Sequence, residues 1–172
     1  MIIALTGPMG SGKTLLLSMF AHKYFSKPFN STIYANYHLN FPFKTLSMKE
    51  ITDGDFNFTN SFLAMDEIHQ FMDSRLSGTK KNRTIGYFIT QSRKRNLILA
   101  YTTQQSHQID KRLRSNTDYF IKCENLSPKD AVKDICIRWT INDMEGHSST
   151  YTFQADPYFG LYDTHQVVAF GE

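Results

Sequence analysis

The glycine-rich segment near the start of the chain constrains its fold most strongly. The pattern G-x-x-x-x-G-K-[ST] is met by Gly7-Pro8-Met9-Gly10-Ser11-Gly12-Lys13-Thr14. This segment directly follows a short apolar strand predicted at Ile2–Thr6 and directly precedes a helical pattern at Lys13–Phe25. Glycines allow successive N–H groups to turn toward phosphate oxygens, and a helix start presents its positive dipole end to the same anion. The sequence therefore predicts a phosphate-binding loop rather than a glycine-rich surface turn.

Two side chains of this loop carry specific expectations. We expect Lys13 to reach the β- and γ-phosphates of a nucleotide and the Thr14 hydroxyl to ligate Mg²⁺. The predicted cofactors are accordingly ATP and Mg²⁺, with the nucleotide held by all eight residues from Gly7 to Thr14.

A second strand ends in two acids. The apolar run 62–65 leads directly into Asp66 and Glu67. In P-loop enzymes an Asp at such a strand end holds Mg²⁺ through the groups that surround its direct ligands, and an adjacent Glu can act as the general base that activates water. The alternative is an acidic loop after a core strand. Glu67 argues against a small-molecule kinase, which must exclude water rather than activate it. The sequence therefore predicts a P-loop ATPase that hydrolyses ATP.

A further apolar strand, predicted at 97–102, runs into polar residues that end at Gln104. If this strand lies between the first strand and the strand before Asp66, Gln104 points at the γ-phosphate and could act as a catalytic sensor. The alternative is that Thr102 or Thr103 caps a following helix.

Basic residues occur in two groups. On a helix predicted at 106–115, Arg114 is our first candidate and Arg112 our second for a catalytic arginine that neutralises transition-state charge, from the same chain or a neighbour. The alternative is a solvated basic helix face. A second group is free of acids and could track a DNA backbone without reading its sequence, or could simply form the basic end of an exposed helix. It consists of Lys80, Lys81, Arg83, Arg93, Lys94 and Arg95. The net charge of +3 is too small to decide between these.

The order of patterns predicts an α/β fold. Strands at 2–6, 32–37, 62–65, 97–102 and 119–124 alternate with helical or loop segments, including a helix at 81–94 and a mostly irregular stretch at 41–59. This alternation indicates a mostly parallel central sheet flanked by helices. Strand-like alternation at 134–141 and 149–153 predicts an antiparallel hairpin added at one edge. With 172 residues, we expect one domain spanning 1–172.

Composition gives expectations about compartment. No signal-peptide pattern opens the chain and no apolar run is long enough to span a bilayer, so we expect a cytoplasmic protein without a transmembrane segment. Cys123 and Cys136 match no zinc pattern. Reduced thiols are expected, with a disulfide between neighbouring strands as the alternative.

Taken together, these motifs resemble the HerA/FtsK superfamily of P-loop motors. The closest similarity is to the zonula occludens toxin-like (Zot-like) branch and to small viral genome-packaging ATPases. The resemblance is carried by the phosphate loop, by residues 64–71 with Arg75, by 101–104 followed by 109–114, and by 159–164. It implies a RecA-like fold, a sensor role for Gln104, an arginine finger at Arg114 acting in a neighbouring subunit, and a ring oligomer, often a hexamer.

The resemblance and the motifs lead to three functional expectations. The first is a DNA-translocating motor that packages a viral genome, with a capsid or assembly protein as partner, in the host cytoplasm. The second is an ATPase that drives virion or filament assembly or extrusion through protein partners. The third is a nucleotide-gated binding module with negligible turnover. The lack of the transmembrane helix and periplasmic part that occur in the Zot-like branch favours the first over the second.

Overall fold

The computed structural model of the chain describes residues 1–46, 58–68, 86, 88–105, 107, 109–128, 130–143 and 145–163. The described strands are β1 (Ile2–Thr6), β2 (Thr32–Ala35), β3 (Lys44–Thr45), β4 (Ser61–Met65), β5 (Ile98–Thr103), β6 (Tyr119–Asn125), β7 (Cys136–Asp143) and β8 (Ser148–Gln154). The α-helices with complete bounds are α1 (Lys13–Phe25) and α2 (Lys111–Ser115), and 3-10 turns lie at Arg93–Arg95 and Asp156–Leu161.

These strands form one eight-stranded sheet in the order β3-β2-β4-β5-β1-β6-β7-β8. In this order, the six strands from β3 through β2, β4, β5 and β1 to β6 pair in parallel. The pairs β6–β7 and β7–β8 are antiparallel. The predicted fold class, a mostly parallel sheet with a C-terminal antiparallel hairpin, is confirmed. Because the carboxyl ends of β1, β4 and β5 meet at one edge, the loops after them can share a site.

The sheet is buried on both faces at its centre. One face packs against α1, where Leu16 and Leu17 meet Ile3, Leu5 and other apolar side chains of the strands. On the other face, Ile2, Leu99 and Tyr101 pack in one cluster with Phe88 and Leu113. Burial on both sides explains why β1, β4 and β5 have nearly continuous apolar sequences rather than alternating ones.

Several predicted elements need correction. The α-helical part of the predicted helix 106–115 begins only at Lys111, because the Asp110 carboxylate caps it by accepting the N–H of Arg112 at 2.8 Å. In the predicted helix 81–94, residues 86 and 88–92 are helical, and the turn Arg93–Arg95 is 3-10. The short strand β3 lies within the stretch 41–59, where no strand was predicted.

Both thiols are free, as predicted. Cys123 in β6 faces Trp139, and Cys136 in β7 faces Gln154, so the two cysteines are not cross-strand partners. Burial raises the pKa of the Cys123 thiol to about 12, although the positive charge of Lys13 acts to lower it. Among the described helices, none combines the length and hydrophobicity needed to cross a lipid bilayer.

Candidate active site

The phosphate loop joins β1 to α1, and its glycines are needed for two different reasons. Gly7, Gly10 and Gly12 have φ of 147°, 75° and 88°, values that side chains of other residues rarely allow. A Cβ at Gly7 would lie 2.5 Å from the Cys123 carbonyl oxygen, and one at Gly12 would lie 2.9 Å from Ile137 Cδ1. At Gly10 a Cβ would meet nothing within 4 Å. The loop is thus pressed against β6 and β7 at two glycines and open at the third.

The start of α1 has hydrogen-bond donors available for an anion. No side chain caps the helix at Gly12, so the N–H groups of its first turn remain available. The Ser11 hydroxyl is buried and has no hydrogen-bond partner among the described residues. Lys13 is only 6% exposed, and its ammonium donates to the Pro8 carbonyl at 2.8 Å. These unsatisfied donors and this buried cation fit the phosphates of a nucleotide.

The structure brings together the two residues predicted to hold the metal. Thr14 Oγ1 donates to both carboxylate oxygens of Asp66 at 3.1 and 3.2 Å, and Thr102 Oγ1 donates to Asp66 Oδ1 at 2.6 Å. Asp66 is 7% exposed, and burial raises the pKa of its carboxyl, against the hydrogen bonds from Thr102 and Thr14. Hydroxyl and carboxylate oxygens are the ligands that Mg²⁺ prefers, so the pair fits the metal.

Asn36, which sequence reasoning missed, fixes the backbone at Asp66. Its amide nitrogen donates to the Asp66 carbonyl at 2.9 Å, and its amide oxygen accepts the Asp66 N–H at 2.7 Å. Asn36 directly follows β2, which pairs with β4. The only sequence signal was an Asn at a strand end. Because β2 pairs with β4, this Asn lies beside Asp66.

Glu67 has a backbone conformation that is unusual for a residue with a side chain. Its φ is 51°, in the left-handed region, and its N–H donates to Thr102 Oγ1 at 2.8 Å. Such strain persists where the surroundings hold it and is common at functional sites. Thr102 therefore supports both acids at once, rather than capping a helix.

A cleft of about 390 Å³ lies over the loop, and Glu67 lines it. The lining residues comprise loop and helix positions, Glu67, and residues from the C-terminal strands and turn. They are Met9, Gly10, Gly12, Lys13, Thr14, Leu15, Glu67, Asn125, Ile135, Ile137, Phe159 and Tyr162. The C-terminal contributors were not predicted as site residues, because their approach to the loop depends on tertiary packing.

The predicted sensor strand occupies the predicted position. Strand β5 pairs in parallel with β1 on one side and with β4 on the other. Gln104 follows β5 directly, at the edge of the sheet where β1 and β4 also end, and its side chain is exposed. It is not among the described residues that line the cleft. Its sensor role stays a prediction.

The arginines lie elsewhere in this chain. Arg112 and Arg114 belong to α2, whose Leu113 packs on the sheet face opposite α1. Arg114 is near enough to the buried Tyr101 phenol for its charge to oppose the effect of burial, which raises the Tyr101 pKa to about 12. Neither arginine is among the described cleft-lining residues.

Only part of the predicted DNA segment can be placed. Lys94 is exposed and Arg95 half-buried, in the turn that precedes β5. They lie at the amino end of that strand, whereas the phosphate loop lies at the carboxyl edge. Lys80, Lys81, Arg83 and the side chain of Arg93 lie outside the described residues.

Comparison with solved structures shows the same fold in three P-loop proteins. The N-terminal domain of zonular occludens toxin from Neisseria meningitidis superposes with a TM-score of 0.68 at 20% identity, covering 94% of this chain and 98% of that one. The genome packaging NTPase B204 from Sulfolobus turreted icosahedral virus 2, in complex with ATP-gammaS, gives 0.61 at 14% identity and covers 87% and 96%. A KaiC-like protein from Pyrococcus horikoshii OT3 gives 0.52 at 13% identity, covering 88% and 84%.

The structural neighbours confirm the resemblance to Zot-like and small viral packaging ATPases and the RecA-like fold. A search among curated proteins found no significant match. A family model does match, over residues 3–125, which include the phosphate loop, Asp66, Glu67 and the sensor strand. The chain therefore belongs to the ATPase family associated with various cellular activities (AAA) and is a P-loop ATPase.

Proposed function

We propose that this ATPase is a DNA-translocating motor that packages a viral genome. The observation that carries the proposal is the course of β5, which links the two predicted functional surfaces. Lys94 and Arg95 lie in the turn that two residues separate from the start of the strand, and Thr102 and Gln104 lie at its other end. A six-residue strand spans roughly 20 Å, so a rigid element would connect the hydrolysis site to the basic segment.

The arrangement of side chains supports hydrolysis by an activated water. Bound ATP would supply the phosphoryl group, and Mg²⁺ would supply positive charge that polarises it. Lys13 and the start of α1 would bind the phosphates, while Thr14 and Asp66 would hold the metal. Glu67, which lines the cleft and whose N–H donates to Thr102, would accept a proton from the attacking water.

The arginine finger is proposed to act between subunits. Arg114 lies on the sheet face opposite α1, and the described lining of its own cleft does not include it. A ring would bring it to the cleft of a neighbour, with Arg112 as the second candidate. Mixing Glu67→Gln and Arg114→Ala subunits tests this, because some interfaces then combine an intact Glu67 with an intact Arg114. Recovery of phosphate release on mixing is expected, and no recovery would contradict action between subunits.

Two alternatives remain distinct candidates. An ATPase acting on protein partners in virion or filament assembly is favoured by the likeness to the zonular occludens toxin domain, whose full length the chain nearly covers. A nucleotide-gated binding module would bind ATP without releasing phosphate. The placement of both Asp66 and Glu67 beside the phosphate loop argues against the second alternative.

The deciding experiment measures phosphate release from the purified chain with and without double-stranded DNA, with Glu67→Gln as control. Stimulation by DNA that disappears in Glu67→Gln is expected for the motor. Activity that requires Glu67 but ignores DNA would favour the assembly ATPase. ATP binding without phosphate release, at ring-forming concentration and with DNA present, would favour the binding module.

The proposed DNA contact has a test of its own. Lys94→Glu should weaken DNA binding and reduce its dependence on salt concentration. Lys23→Glu is the matched control, since Lys23 is also exposed but lies near the end of α1, outside the basic segment. Equal losses in the two variants would indicate a general charge effect and contradict a local DNA contact at Lys94.

A further inference from the structure

The cleft over the phosphate loop has a second wall whose chemistry differs from that of the first. Glu67 follows β4, whereas Ile137 lies on β7, and β5, β1 and β6 separate these strands in the sheet. With neighbouring strands about 4.8 Å apart, the two positions are roughly 19 Å apart across the sheet. The cleft thus extends well beyond the phosphates, toward the C-terminal strands.

This distant wall is apolar. Leu15 and Ile137 are buried in one cluster, and Ile135 and Phe159 pack against it while remaining half-buried. All four side chains line the cleft. The wall therefore presents carbon surface next to the start of α1, on the side away from Glu67.

The wall is held in place by hydrogen bonds that sequence reasoning did not anticipate. The Asp156 carboxylate accepts the N–H of Asp134 at 3.1 Å and that of Ile135 at 2.9 Å. The Ala155 N–H donates to the Ile135 carbonyl at 2.7 Å. These bonds tie the entry to β7 to the turn Asp156–Leu161, so Ile135 and Phe159 are kept in fixed positions on either side of this junction.

The amide of Asn125 at this end of the cleft is already engaged in hydrogen bonds. Asn125 lines the cleft, but its amide oxygen accepts the Ser127 N–H at 2.9 Å, and its amide nitrogen is 3.5 Å from the Gly10 carbonyl. Apart from the Tyr162 phenol, which packs against the same cluster, the described side chains at this end of the cleft offer packing rather than directional hydrogen bonds.

We propose that Leu15, Ile135, Ile137 and Phe159 form the pocket for the base of the bound nucleotide, and that they hold the flat ring by packing. The proposal rests on nucleotide binding at the phosphate loop and is independent of DNA translocation. A base held in this way is retained with little selection of its edge groups. ATP and GTP should therefore bind with affinities within about fivefold of each other.

The test measures the dissociation constants of Mg-ATP, Mg-GTP and Mg-tripolyphosphate by calorimetry on the full chain. Phe159→Ala should weaken ATP and GTP binding about tenfold, because an aromatic contact of this kind is lost, and should leave tripolyphosphate binding unchanged. Tyr158→Ala is the matched control, because Tyr158 is exposed on the same turn and packs on Phe153, outside the cleft. Ile135→Ala, which removes a half-buried side chain of the wall, should give the same pattern with a smaller change.

Three results would overturn the pocket. The unchanged protein could bind ATP and tripolyphosphate with equal affinity. Alternatively, Phe159→Ala and Ile135→Ala could both leave ATP binding unchanged, or could weaken the binding of ATP and of tripolyphosphate equally. A preference above a hundredfold between ATP and GTP would overturn holding by packing alone. If the unchanged protein bound neither ATP nor tripolyphosphate, nucleotide binding itself would be refuted.

Discussion

Two parts of the molecule combine acidic side chains with a left-handed glycine, and they differ in almost every other respect. The nucleotide site has Asp66, Glu67 and Gly12, and the turn between β7 and β8 has Asp143, Glu145 and Gly146. In the nucleotide site, Asp66 is buried and accepts hydrogen bonds from two threonines. In the turn, the bonds that the Asp143 carboxylate accepts from described residues come from Glu145 and His147 of its own loop. Burial and long-range partners, rather than the residue types, distinguish a reactive site from a structural turn.

The largest expected difference is in the effect on kcat of replacing Glu67 or Glu145. Glu67→Gln should lower kcat by about 10²- to 10⁴-fold, because an amide cannot accept the proton of the attacking water, while the affinity for ATP stays unchanged. Glu145→Gln is the control, since Glu145 is an exposed residue of the turn. Steady-state phosphate release and ATP titrations check both values. Equal activity in the two variants would mean that Glu67 is not the general base.

The two glycines allow the cost of steric overlap at the phosphate loop to be separated from the cost of the backbone conformation. Gly12 and Gly146 both have φ of 88°, but a Cβ would lie 2.9 Å from Ile137 Cδ1 at Gly12 and in open space at Gly146. The backbone conformation alone should cost about 1–2 kcal/mol in each alanine variant. Overlap should add about 1–3 kcal/mol at Gly12.

Chemical denaturation of Gly12→Ala and Gly146→Ala gives the two free energies of unfolding. The difference between the variants is the steric part, and ATP affinity should fall only in Gly12→Ala. Equal losses of stability would contradict the close packing of β7 on the loop.

The comparison also shows what could be predicted from sequence. The phosphate loop, the acids at the end of β4 and the β7–β8 hairpin were predictable because each is encoded in a short contiguous segment with its own periodicity or turn residues. Asn36 and Asp156 were not, because their roles depend on residues 30 and 21 positions away. The start of α2 was misplaced because Asp110, which caps it, lies inside the predicted helix.

Thr102 is the clearest case of a site residue defined by tertiary contact. It is fully buried, donates to Asp66 and accepts the N–H of Glu67. Thr102→Val keeps the shape, removes one hydrogen bond to Asp66, which retains those from Thr14, and takes away the acceptor of the Glu67 N–H. The free energy of unfolding should therefore fall by about 1–3 kcal/mol. kcat should fall as well, because Glu67 loses the bond that fixes its backbone.

The matched control is Thr140→Val in β7, where the threonine hydroxyl pairs with that of Thr150 in an exposed position. Its free energy of unfolding should change by less than about 0.5 kcal/mol. Denaturation curves and phosphate release from both variants decide the matter. A loss at Thr140 as large as that at Thr102 would remove the contrast between the two regions.

The smallest effect is expected from the pH response of the turn. Partial burial acts to raise the pKa of Asp143, but hydrogen bonds from His147 and from the N–H groups of His147 and Glu145 prevail and lower it. A carboxyl whose pKa is lowered on folding stabilises the protein above its unfolded pKa of about 3.9, and this contribution disappears as pH falls through the folded value. Asp143→Asn should therefore reduce the denaturation midpoint slightly at pH 7 and leave it unchanged near pH 2. Since the group is only partly buried, added salt should shrink the difference at pH 7. A midpoint difference that persists at pH 2 would show that Asp143 acts through its shape and hydrogen-bonding capacity rather than through its charge.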